Sequence, residues 1–303
     1  MLDIDFDKTK LDPGPMPHRG PLDINLFKYR RFGKYTDQIF LDNALYFSKA
    51  VELNDPYEFR EPLDHGIVSR RVRERLEELL NQKEITDVEK AQIEYFFPAS
   101  KSKTLEKDRL VAVEKIKKVL GDSGIFSMSE RSDSILMWSH YAEEHRGLCI
   151  EFEDLHRNFF ANGQPELLKV QYRDQFYDMN SPDVYIYPLL DKLRSGSATA
   201  QGIFALLEEI THRKAENGAF SSLAVKAKDW EYEKEWRLIY LGHSGVVYFN
   251  PFTIKTVTFG SKVSDETVEQ YIRFVANTSG KPFVRFRKAH LDDLQFTICI
   301  RDI

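Results

Sequence analysis

Short runs of alternating apolar residues, separated by turn residues, recur along the chain and predict a sheet. Asn25-Leu26-Phe27-Lys28-Tyr29-Arg30 reads as a first aromatic strand and Ala44-Leu45-Tyr46-Phe47-Ser48 as a second. Asn54-Asp55-Pro56 then makes a turn, because a residue before proline is held extended. Further strands are expected at 148–152, 167–172, 236–241, 246–249, 255–259, 283–287 and 295–300. The period changes to helical over 69–97, with Val72, Leu76, Leu79 and Leu80 on one face, and again over 104–120. Thr104 is placed to cap the second of these helices and Gly121 to end it. A third helix is expected at 199–217, and a fourth begins at Ser264, whose first turn carries Asp265 and Glu266 to suit the helix dipole.

This mix predicts an α+β fold: a central mixed or mostly antiparallel sheet with helical insertions. Residues 1–22 hold Pro13, Pro15, Pro17 and Pro21 and read as an extended arm. Residues 23–303 are then a single domain with a charged helical insertion at about 69–121, whose charge runs read as solvated faces.

A length of 303 residues with 42% hydrophobic and 30% charged side chains belongs to a soluble globular protein that can bury a substantial core. No run approaches the roughly 18 apolar residues of a membrane helix, and the N-terminus lacks the pattern of a signal peptide, so a cytoplasmic location without membrane contact is expected. Cys149 and Cys299 lie in apolar segments and read as buried reduced thiols. The net charge of −5 argues against an evenly basic nucleic-acid binder but leaves room for a local basic groove.

The densest chemistry lies in 126–153. There Met137-Trp138-Ser139-His140-Tyr141 precedes His145-Arg146-Gly147 and the strand Leu148-Cys149-Ile150-Glu151-Phe152. Each polar aromatic in such a segment needs a partner when buried. Either Trp138, His140, Tyr141 and Arg146 line a site, or they build a polar core in which Trp138 and Met137 pack. A second cluster, Trp230-Glu231-Tyr232-Glu233-Lys234-Glu235-Trp236-Arg237, runs into a strand. If extended, it places Glu233, Glu235 and Arg237 on one face. Mutual pairing is the plainer reading of that alternation; binding of ribose hydroxyls or a phosphate is the sharper one.

These blocks, with Phe27-Lys28-Tyr29-Arg30, Leu45-Tyr46-Phe47-Ser48 and Asn54-Asp55-Pro56-Tyr57-Glu58, resemble in order the bacterial family called domain of unknown function 2971 over about 25–241. Leu53 stands where an aromatic is expected, and the family carries no settled activity. A weaker resemblance is to ADP-ribosyltransferase folds. It implies NAD as the substrate cofactor, held by Tyr29 and Arg30, with Tyr46 and Ser48 lining the nicotinamide. Glu235 would then act on the ribose. Arg146, with His140 and Tyr141, would orient the cofactor or the acceptor, and Asn54, Asp55, Trp138, Glu233 and Arg237 would support the site. A carboxylate beside the ribose would stabilise the positive charge that forms as the glycosidic bond breaks. On this reading the protein is a bacterial toxin or defence effector. It acts without a metal on an acceptor macromolecule, protein or nucleic acid, and a neutralising partner protein is implied beside it.

Two other classes stay open. Asp55, Glu58, Glu151, Glu153, Glu233 and Glu235 could bind Mg²⁺ in a nuclease, although Lys234 would sit on the wrong face of the strand. Alternatively, the aromatic and basic residues form a non-enzymatic binding module for nucleic acid or a partner protein. There is no Gly-x-Ser-x-Gly elbow, P-loop or Gly-x-Gly-x-x-Gly.

Overall fold

The computed structural model describes residues 17–58, 118–157, 160–161, 163–174, 223–278 and 284–303, with scattered positions between 71 and 91. Most of the expected helices at 69–97 and 104–120, all of that at 199–217, and most of the arm at 1–22 lie outside these residues. The chain divides into two compact units, one of 1–16, 59–118 and 176–222, the other of 17–58, 119–175 and 223–303. Everything below concerns the second.

Its strands are β1 (Leu26–Arg30), β2 (Ala44–Lys49), β3 (Gly124–Ser129), β4 (Leu148–Phe152), β5 (Glu166–Lys169), β6 (Gln171–Arg173), β7 (Val225–Ala227), β8 (Glu235–Tyr240), β9 (Gly245–Tyr248), β10 (Ile254–Phe259), β11 (Arg285–Leu291) and β12 (Ile298–Asp302). The main path runs β12-β11-β10-β4-β1-β3-β2-β9, with β8 on β3 and β5 on β8. Pairing in this sheet is antiparallel except between β10 and β11, and β6 and β7 form a separate parallel pair. The expected α+β class with a mixed, mostly antiparallel sheet is therefore correct.

β3 governs the site. β8 follows one of its edges along the whole strand, from Gly124↔Tyr240 to Ser129↔Glu235. The other edge meets β2 at Gly124 and Ile125, and β1 at Ser129. Residues more than a hundred positions apart in sequence thus become neighbours.

β4 and β8 are buried at every position, as central strands covered on both faces must be. Phe47, Phe126, Phe152, Leu238 and Phe259 form the heart of the main cluster. A second cluster gathers Tyr29, Met137, Trp138 and Cys149. Among the described residues, three helices of seven or more residues pack with these strands. α1 (Lys34–Leu41) buries Ile39 and Phe40, α2 (Ile135–Tyr141) starts at the Ser134 cap, and α3 (Asp265–Ala276) starts at Ser264, whose hydroxyl accepts from Thr267 N at 3.2 Å as expected.

Three expectations are corrected. The run 167–172 breaks at Val170, whose N–H donates to Glu235 O, so β5 joins the large sheet and β6 the small one. Gly121 lies inside the helical turn and does not end it. The strand expected from Gln295 begins only at Ile298, because the Asp292 carboxylate accepts from Leu294 N and Gln295 N and curls that segment into a turn.

The Arg-Gly step between α2 and β4 has a packing origin. Glu143, Glu144 and His145 all have positive φ, with values of 50, 54 and 72°. This left-handed run presses the chain against its neighbours. A Cβ on Gly147 would lie 2.2 Å from Arg30 O, and one on Gly260 would lie 2.1 Å from His145 O. Neither site can hold a side chain without moving backbone.

Candidate functional site

Polar residues on a strand buried at every position need partners close by. On β8 those residues are Glu235 and Arg237, two apart and so on one face. Arg237 donates from Nε and Nη2 to the two Glu235 oxygens at 2.8 and 2.9 Å, a fork-on-fork pairing. It also meets Glu58 at 3.0 Å and donates from Nη1 to Leu223 O at 2.8 Å. With 1% of its surface exposed, it is the largest buried charged side chain among the described residues.

Glu233 reaches the same place by another route. It does not sit on the strand face with Glu235, as alternation predicts, but ends a 3-10 helix at Lys228–Glu233. Lys234 follows in the left-handed conformation, with φ 45° and ψ 53°, and that twist turns both flanking carboxylates toward one cation. The cation is Lys226 on β7. Its Nζ lies 2.6 Å from Glu233, 3.2 Å from Glu58 and 3.4 Å from Glu235. The second Glu233 oxygen accepts from the Tyr141 hydroxyl at 2.5 Å, and Asn54 Nδ2 donates to that same Tyr141 oxygen at 3.0 Å.

These groups border a cavity of about 130 Å³. Its remaining walls include Phe27, Lys28 and Tyr29 of β1, Ser127–Ser129 of β3, and Met137 of α2. Lys28 Nζ donates to Ser127 O at 2.6 Å and lies 4.7 Å from the centre of the Phe126 ring.

The environment drives the two glutamates apart. Burial alone would raise Glu235, but the charges of Arg237 and Lys226 and hydrogen bonds from Arg237 and Ser127 hold it down to about 2. Glu233 moves the other way: burial and the Glu235 charge raise it, against the pull of Lys226 and Tyr141. Lys28 is lowered to about 7, first by burial and then by the neighbouring Arg30 charge. Burial and the Glu233 carboxylate keep Tyr141 protonated far above its usual range.

Glu235 should therefore shape the acid limb of stability. A folded-state value below the ordinary 4.5 contributes stability that is complete above about pH 4.5 and drains away toward about pH 2. The shift is worth on the order of 3 kcal/mol at neutral pH. Urea unfolding between pH 5 and pH 3 should show a shallower pH dependence for Glu235→Gln than for the native chain; equal slopes would mean that the carboxylate is not held this way.

Of the residues expected at a site, Tyr29, Asn54, Tyr141, Glu233, Glu235 and Arg237 border the cavity. The others take different places. Arg30 Nε points to Thr36 Oγ1 at 3.4 Å, Tyr46 is exposed and reaches Glu52 at 3.4 Å, and Ser48 pairs in register with Ile125. Arg146 is an exposed partner of Glu144 at 2.9 Å, and His140 is exposed beside the Tyr232 ring. Trp138 is a core residue that donates from Nε1 to Ser132 O at 2.8 Å, and the buried Asp55 accepts from Tyr57 N at 2.8 Å.

Three of the six acids considered as metal ligands, Asp55, Glu151 and Glu153, do not border the cavity. Glu151 accepts from Asn25 at 2.6 Å, and Glu153 pairs with Lys255 at 2.6 Å. Glu58, Glu233 and Glu235 do converge, but upon Lys226 and Arg237. Among the described residues, no group of three or more His, Cys, Asp or Glu side chains is arranged to hold a metal ion. No helix among them is long and apolar enough to cross a membrane.

Sequence reasoning placed Lys28 in a candidate cluster with Tyr29 and Arg30 but gave it no role, and it missed Ser127 and Lys226 as site residues. For Lys226 a signal existed: a lysine inside Leu223-Ala224-Val225-Lys226-Ala227, where a buried charge demands a partner.

Residues 137–238 match the family described as a protein of unknown function, DUF2971. The resemblance expected from the motifs is thus shown over that range, which holds Tyr141, Lys226, Glu233, Glu235 and Arg237 but not β1 or the turn at Asn54. Neither the curated proteins nor the solved structures provide a match.

Proposed function

We propose that this protein cleaves the N-glycosidic bond of a nicotinamide nucleotide and passes the ADP-ribosyl group to an acceptor, with NAD as the donor substrate. The observation that carries this reading is the glutamate pair: two carboxylates bordering one small cavity, one held ionised and the other raised above the usual carboxylate range by burial and its neighbour's charge. Carboxylates separated in this way take different roles in one reaction.

The roles follow from charge. As the bond between ribose C1′ and the pyridinium nitrogen breaks, the bonding pair leaves with nicotinamide and positive charge develops on the ribose. Glu235 stays anionic and stabilises that charge, its plane fixed by the Arg237 fork. The acceptor then bonds to C1′ and loses a proton, which Glu233, raised by burial and by the Glu235 charge, takes more readily than Glu235 does. A cavity of about 130 Å³ is scaled to one substituted aromatic ring, with Tyr29, Phe27 and Met137 beside it, and the rest of the nucleotide would lie outside.

The test is incubation with labelled NAD and a bacterial cell extract, comparing the native chain with Glu235→Gln. Release of nicotinamide and transfer of label by the native chain, lost in the variant, are expected. Neither activity above the variant's level would overturn the reading.

A further inference from the structure

Glycosidic cleavage gives Lys28, at the same cavity, no task. Lys28 sits on β1, hydrogen-bonded between β4 and β3; it borders the cavity together with Ser127, to whose carbonyl oxygen its amine donates. The carboxylates that should neutralise it are engaged elsewhere: Lys226 and Arg237 take Glu58, Glu233 and Glu235. Among the described residues Lys28 makes no ion pair. Burial and the charges of Arg30 and Arg237 outweigh the opposing pull of the Glu235 and Glu233 carboxylates on this amine, a setting that turns lysine from a charge into a nucleophile.

We propose that Lys28 is a covalent capture site for a small carbonyl compound, which its ε-amine converts to an imine. The lone pair of Nζ bonds to the carbonyl carbon, and the carbon–oxygen π pair moves to oxygen. Loss of the two amine hydrogens with that oxygen as water leaves the C=N bond, so amine plus carbonyl gives imine plus water. Tyr141 and Glu233, joined by a 2.5 Å hydrogen bond at the same cavity, relay the protons and end unchanged. The lowered basicity of Lys28, to about 7, agrees with this role, since the amine is then substantially neutral at physiological pH. The cavity admits a compound of a few carbons, either a neutral aldehyde or a keto acid.

The intact chain is incubated without NAD, with glycolaldehyde in one arm and pyruvate in the other, at pH values from 6 to 10. Borohydride reduction fixes any imine, and peptide mass mapping locates it. The expected result is labelling of Lys28 at pH 7 at least about tenfold above that of the surface lysines Lys234 and Lys255. Labelling should level off near pH 8, while ordinary lysines go on rising toward their usual value of about 10.4. The two arms separate an aldehyde site from a keto-acid site. Lys28→Arg should remove this label alone, and the pH profile of the native chain serves if that variant fails to fold. Labelling of Lys28 no faster than Lys255 at pH 7, or rising only above pH 9, would overturn the proposal. NAD is absent, so this failure is separate from failure of the glycosidic reading.

Discussion

Replacing Arg237 by methionine is expected to lower the unfolding free energy by about 3–5 kcal/mol. The guanidinium is almost wholly enclosed, with 1% of its surface exposed, and it answers two carboxylates and a backbone carbonyl. Its removal leaves Glu235 and Glu58 to share Lys226 in a setting where water cannot replace the lost bonds. For a unit of this size the loss corresponds to a fall in Tm of about 10 °C, readable by circular dichroism.

Two controls give the measurement its meaning. Arg273→Ala removes an exposed pair to Glu269 on α3 and should cost less than about 0.5 kcal/mol. The double change Arg237→Met with Glu235→Met should cost less than the two single changes added, because it removes both charges of the fork together. A Tm for Arg237→Met within about 2 °C of the native value would show that the buried network is not formed as described.

The same residue shows how far the sequence could be read. Glu235 and Arg237 were legible as a pair because alternation is a local property, and β8 keeps it. Most strands were legible for the same reason. Failures came where a local rule was overridden. Glu233 joins the network through a left-handed Lys234, a backbone choice that residue identity does not announce. The eight residues of α1 follow Gly33 with too few turns for a helical period to stand out.

Arg30, Tyr46 and Ser48 were plausible NAD contacts only if β1 and β2 both faced the late strand. Instead β3 intervenes, and its Ser127 and Ser129 stand opposite Arg237 and Glu235. Nothing in the sequence announces that a segment near 127 pairs with one near 237, so Ser127 stayed invisible as a site residue and Lys28, though seen beside Tyr29 and Arg30, carried no role. The Arg146–Gly147 signature was visible, but its tight packing concerns backbone approach, with Arg146 itself turned to solvent.

Glu235→Gln is the substitution expected to do the most damage to catalysis, a fall of about 10²–10³-fold in nicotinamide release. Glutamine keeps the volume and can still accept from Arg237, so the cavity retains its shape while the charge opposite the forming cation is lost. Because Glu235 also holds Arg237, a loss of activity alone would not distinguish chemistry from folding. The kinetic pattern does. A group needed only in the transition state lowers kcat and leaves KM nearly unchanged, whereas partial unfolding lowers the number of active molecules and shows in the melting curve. Glu233→Gln should behave differently. The native rate should fall as pH drops through the raised Glu233 value, since a base must be unprotonated to act, and in the glutamine variant that acid limb should disappear while a slow pH-independent rate persists. Identical pH profiles in the two variants would remove the division of labour between the glutamates, and with it the physical basis for reading the pair as catalytic.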